Sequence, residues 1–149
     1  MGTRRILIVA NQTAAGSHLR SLVRKRLAEG SCDFTLLVPA TPPTGTLTWT
    51  DEEATELAGK RMAEALKGLR EIGASIEGIV GDGSPSDAVR GLMQIDNVEH
   101  HEHFAEIILS TLPPGVSRWL RQDLPHRLER EYGIPVTHVI GEKIETSVG

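Results

Sequence analysis

The run Ile6-Leu7-Ile8-Val9-Ala10 contains no polar residue. A strand with one wet face alternates apolar and polar side chains, so an unbroken β-branched run belongs to a strand covered on both faces. Phe34-Thr35-Leu36-Leu37-Val38 and Ile107-Ile108-Leu109 repeat the pattern further along. Segments with helical spacing lie between these runs. After the first, Leu19, Leu22, Val23 and Leu27 share one face, Arg20, Arg24, Lys25 and Arg26 point outward, and Gly30 is the stop. Strands covered on both faces and separated by helices call for a parallel α/β sheet.

The whole chain reads β-α-β-α-β-α-β-α-β, with short loops and no internal repeat. Strands are expected over 6–10, 33–38, 75–80, 105–109 and 134–140, the last tolerating Pro135 because it stands at the strand's start. Thr50-Asp51-Glu52-Glu53 is a capping box in which Thr50 and Glu53 each satisfy an orphan N–H. The helix behind it sets Ala54, Leu57, Ala58, Met62, Ala65, Leu66, Leu69 and Ile72 on one stripe until Gly73. Ser84-Pro85 opens a third helix, with Ala88, Val89 and Leu92 inward. Asp123 is expected to cap a final helix, 124–131, with Pro125 in its first turn. The domain is placed at 1–141, followed by a polar tail at 142–149.

Composition narrows the function classes. A net charge of −4 gives no electrostatic reason to expect nucleic acid as a partner. Cys32 is alone, so no internal disulfide forms, which suits a reducing cytoplasm. The apolar run after Arg4-Arg5 is too short for a signal peptide or a membrane span. The expectation is a cytoplasmic protein with no membrane partner.

In this order the segments resemble the universal stress protein family over nearly the whole length. The exit Val38-Pro39-Ala40-Thr41-Pro42-Pro43 from strand two, the start Gly81-Asp82-Gly83-Ser84-Pro85-Ser86-Asp87-Ala88-Val89 of helix three, the fourth strand Ile107-Ile108-Leu109 and the entry Tyr132-Gly133-Ile134-Pro135-Val136 carry the likeness. The resemblance implies an open, doubly wound, five-stranded parallel sheet of Rossmann-like type, with strand order 3-2-1-4-5. It also implies a homodimer, formed in many members through the last strand, here 134–140. Many members bind ATP through G-x-x-G, nine residues, then G-[ST], after strand four. Here Ser110 and Pro113 stand at the first two glycine positions, and the third falls near Gln122, Asp123 and Leu124. The family's nucleoside-contacting aspartate after strand one corresponds to Asn11, with Thr13 nearby.

These departures bear on chemistry. Glycines let backbone N–H groups approach a phosphate, and proline removes an N–H altogether. A carboxylate at Asp123 would repel an anion at that helix start. ATP or another nucleotide is the cofactor the resemblance offers, and the lost glycines weigh against the family's usual mode. A ligand in the crevice would meet Asn11 and Thr13 after strand one and main-chain groups between Val38 and Ala40. On the far side stand Ser110, Thr111, Gly115 and Ser117, with Arg118 and Arg121 holding a negative group. In the competing reading Trp119 and Leu120 plug the mouth and both arginines are solvated, which is the arrangement expected here.

Other chemistry finds less support. Glu99-His100-His101-Glu102-His103 resembles a metal tract, yet it precedes strand four, at the amino end of the sheet, and reads as a solvated loop. Cys32 reads as a structural thiol, His126 beside Asp123 as part of a cap, and no G-x-S-x-G elbow exists. A phosphoacceptor receiver domain lacks its acidic pair, because Asn11-Gln12 follows strand one. The reading is a binding or regulatory module, with its protein partner unnamed; it leans away from an enzyme and leaves that question open. A small nucleotide-dependent enzyme ranks last because fold analogy alone supports it.

Overall fold

The computed structural model describes residues 2–42, 50–99 and 103–141. Its elements run β1 (Arg4–Val9), α1 (Ser17–Glu29), β2 (Cys32–Pro39), α2 (Asp51–Glu71), β3 (Ser75–Gly81), α3 (Pro85–Glu99), β4 (Glu106–Thr111), α4 (Arg118–Arg121), α5 (Leu124–Tyr132) and β5 (Val136–Ile140). The five strands form one sheet in the order β3-β2-β1-β4-β5, and every pairing is parallel. Side chains alternate across it. Ile6, Ile8, Leu36, Val38 and Ile108 pack beneath α1 and α2 with Leu19, Val23, Ala58 and Leu69. Leu7, Val9, Leu37, Ile107 and Leu109 pack on the other face with Val89 of α3, Trp119 of α4 and Leu128 of α5. Both faces of β1 and β4 are therefore dry, which is why those strands carry no polar alternation.

The capping box at Thr50 forms as expected: Glu53 N–H donates to Thr50 Oγ1 at 3.0 Å, and Thr50 N–H donates to Glu53 Oε1 at 3.0 Å. Several boundaries differ from the sequence reading. β1 begins at Arg4 and stops before Ala10, and β5 begins only at Val136. Ser110 and Thr111, expected in a loop, are the last residues of β4, while Ala105 lies outside it. Asp123 occupies the capping position with a left-handed backbone (φ 56°), and its carboxylate accepts no helix N–H. A capping side chain needs an extended backbone to fold over the first turn. The Asp123 carboxylate instead accepts from His126 Nδ1 at 2.7 Å, so an exposed side-chain hydrogen bond stands where the cap was expected. The tail at 142–149, residues 43–49 and His100 to Glu102 lie outside the described residues, and with them most of the histidine tract. Among the described residues no group of three His, Cys, Asp or Glu is placed to hold a metal. No helix among them is long and apolar enough to cross a membrane.

Charge is neutralised at the amino end of the sheet. Glu106, the buried first residue of β4, accepts from Arg26 Nε at 2.8 Å and from its NH2 at 2.9 Å, and also from Thr137 Oγ1 and Arg4. Burial alone would raise the Glu106 pKa, but the bonds from Arg26 and Thr137 and the nearby positive charges outweigh it and hold the carboxyl below its ordinary value. Arg5 forms a two-pronged pair with Asp96 at 2.6 and 3.1 Å while lying 4.3 Å from the centre of the Phe104 ring. Cys32 is buried beside this cluster, and burial pushes its thiol pKa up, away from a reactive thiolate.

Candidate ligand crevice

At the carboxyl end of the sheet, the chain leaves β1 toward one face and β4 toward the other. A doubly wound sheet opens a ligand crevice at such a switch point. The loop after β1, the exit of β2 and the segment after β4 meet there. Asn11, Thr13, Thr41, Ser110, Thr111, Ser117, Arg118 and Trp119 all line one cavity. The sequence-predicted residues Asn11, Thr13, Ser110, Thr111, Ser117 and Arg118 are thus brought together. Val38 and Ala40 are buried in the wall behind them, and Gly115 and Arg121 stand outside it.

The cavity encloses about 40 Å³. That holds a few waters at most, far less than a nucleoside needs. Each wall is closed by an internal bond. Asn11, only 6% exposed, donates from Nδ2 to the Pro39 carbonyl at 2.7 Å, and its Oδ1 accepts from Arg61 of α2 at 2.6 Å. The Thr13 and Ser110 hydroxyls are hydrogen-bonded to each other. Thr111 Oγ1 donates to the Leu112 carbonyl at 2.8 Å, so His138 Nε2, 2.7 Å away, must carry the proton of that second bond. Burial lowers the His138 pKa and favours its neutral ring.

The segment after β4 turns three of its main-chain donors inward. Val116 N–H and Ser117 N–H both donate to the Pro113 carbonyl at 3.1 Å, and Leu120 N–H donates to Ser117 Oγ at 3.2 Å. Gly115 sits at φ 89°, a left-handed conformation that favours glycine, so its part is to make this turn. Arg118 donates to the Pro42 carbonyl, drawing α4 against the β2 exit. It is not the solvated group expected from sequence. Arg121 is exposed and donates to the Gly115 carbonyl at 3.1 Å. Trp119 is buried in the core under α3 and α5, so it forms a wall of the crevice rather than a stopper at its mouth. Ala40 N–H is bonded to the Gly81 carbonyl at 3.0 Å, which leaves that main-chain donor no role toward a base.

Sequence reasoning missed three contributors. Arg61 lies on the exposed-looking side of the apolar stripe of α2, with no local sign that it reaches β1. His138 looked like an ordinary strand residue. Gly141, just past β5, brings its backbone so close to Thr13 that a Cβ there would lie 2.8 Å from Thr13 Cγ2. The Thr13-containing loop can be seated only because position 141 has no side chain.

With this geometry in view, the fold can be compared with known ones. No protein-family model matches the sequence, and no curated protein matches it either. Solved structures do match. A universal stress protein from Archaeoglobus fulgidus superposes with a TM-score of 0.58 at 15% identity, covering 91% of this chain and 93% of that one. A universal stress protein solved in complex with cAMP superposes with a TM-score of 0.55, also at 15% identity, covering 99% of this chain and 100% of that one. The chain has the universal stress protein fold. At this identity the likeness concerns the backbone path and the strand order, both of which agree with the resemblance seen in the sequence.

Proposed function

We propose that this chain is a binding or regulatory module of universal-stress type whose nucleotide crevice is filled by its own residues. The observation that carries this reading is the closure of the segment after β4. Its N–H groups turn inward on Pro113, and Arg118 ties α4 to Pro42. A phosphate could enter only by breaking these bonds, and none of the family's three motif positions carries the glycine that would let the backbone approach it closely. The module would then act through a protein surface. Its homodimer belongs to the same proposal, with β5 as the candidate edge: among the described residues β5 pairs only with β4, Val136 to Val139 are half-buried, and Ile140 is exposed.

A second reading has one observation in its favour, the cAMP named with a protein of the same fold. In that reading Arg118 releases Pro42 and meets the ligand's negative charge. Thermal unfolding with millimolar ATP, ADP and cAMP, each with magnesium, separates the two. A ligand at one hundred times its dissociation constant adds about 2.7 kcal/mol of stability. The closed-crevice reading expects no shift beyond that of magnesium chloride. A clear shift that disappears in Arg118→Ala would establish the second reading in its place.

A further inference from the structure

Beside the crevice lies a second, larger cleft, between α2 and the loop after β1. It encloses about 420 Å³, with Gln12 and Ala15 on one side and Leu57, Lys60, Arg61 and Glu64 on the other. Arg61 gives it its character. The guanidinium is half-buried, and among the described residues one of its five donors is used, toward the neutral Oδ1 of Asn11. Among the described residues no carboxylate pairs with it, although Glu64 lines the same cleft one turn further along the helix. Burial lowers the Arg61 pKa, a sign that the charge is poorly solvated where it stands. A half-buried cation with unused donors is a free-energy cost until an anion meets it. The Gln12 amide, also half-buried, has no hydrogen-bond partner among the described residues.

We propose that this cleft binds a small organic phosphate monoester. The phosphate oxygens lie on the planar fork of Arg61 and the Gln12 amide, Lys60 adds a second positive charge at the lip, and the organic body rests on Leu57 and Ala15. A planar guanidinium matches two oxygens of one phosphate, and a dianion matches two cations. Glu64 at the rim repels polyphosphates, so the preference is for a single phosphate. The cleft shares Asn11 and Gln12 with the closed crevice, but none of the residues from Ser110 to Arg121 lines it, so a change at Arg118 separates the two sites.

The test is an amide NMR titration of the full chain with phenyl phosphate at constant ionic strength, sodium chloride serving as the control. Saturable shifts are expected at Gln12, Ala15, Leu57 and Arg61. Arg61→Gln should weaken binding by ~10-fold or more, the loss of a charge-assisted bond, while Arg118→Gln leaves it unchanged. If Arg61→Gln does not fold, Lys60→Gln, at an exposed position, should still weaken binding several-fold. Shifts no larger than those from chloride would overturn the proposal, as would binding unchanged in the foldable variant or lost in Arg118→Gln.

Discussion

The two ends of the sheet treat positive charge in opposite ways. At the amino end, Arg26 meets Glu106 and Arg5 meets Asp96, each through two close nitrogen–oxygen contacts. At the carboxyl end, among the described residues, Arg61, Arg118 and Arg121 meet only neutral oxygens, those of Asn11, Pro42 and Gly115. Neutralised pairs lock structure, because removing one partner strands the other in a poorly solvated place. At Arg61 one bond to a neutral acceptor leaves the other donors available to an anion, whereas the bond from Arg118 to Pro42 holds the crevice closed. The amino end therefore reads as scaffold and the carboxyl end as site, the same division that the topology of a doubly wound sheet imposes.

The largest break in this comparison comes from Glu106→Gln. It removes the charge that Arg26 pairs with most closely, leaving the 3.4 Å contact to Glu29, and should cost ~2–3 kcal/mol in urea unfolding. The pH dependence follows from the direction of the shift. Glu106 binds its proton less readily folded than unfolded, so its stabilisation is complete above the ordinary glutamate range, about pH 4.3. It is lost as pH falls through the lower folded value, and Glu106→Gln should flatten that acid limb.

Gly141→Ala comes next, because its Cβ would press on Thr13. A loss of ~1–3 kcal/mol is expected, partly restored by Thr13→Ser, which removes the methyl in contact. His138 supplies a smaller, pH-resolved effect. Its depressed pKa favours the neutral ring, so its contribution is whole above about pH 6.5 and falls away as acid protonates it. His138→Gln should remove that step from a plot of melting temperature against pH. The smallest effect is at exposed Arg121: Arg121→Ala should stay within ~0.5 kcal/mol of the parent in the same unfolding assay.

The fold was legible because its signals are local. Unbroken apolar runs marked β1 and β4, Thr50 and Glu53 marked the start of α2, and strand order followed from the family likeness. Ser110 and Thr111 were misplaced because a hydroxyl residue ending a buried strand looks like the start of a loop. Their burial depends on partners nearly a hundred residues earlier and about thirty later, Thr13 and His138. Most lining residues of the crevice were anticipated, because topology decides which loops meet. A closed mouth was expected as well, but through a plug of Trp119 and Leu120; the Arg118 bond to Pro42 and the turn at Pro113 were not legible, because they are long-range or conformational facts. Arg61 was invisible for the same reason: a helix position does not declare which strand end it reaches.

The most direct measurement is the unfolding free energy of Arg26→Met and Arg61→Met side by side in phosphate-free buffer. Methionine keeps most of the apolar stem and deletes the charge at each site. The account predicts a loss of ~3 kcal/mol or more at Arg26 and only ~1 kcal/mol at Arg61, where the orphaned Asn11 Oδ1 is offset by removal of a half-buried charge. Equal losses at the two positions would contradict it, because Arg61 would then be a fixed part of the scaffold and not a cation held ready for an anion.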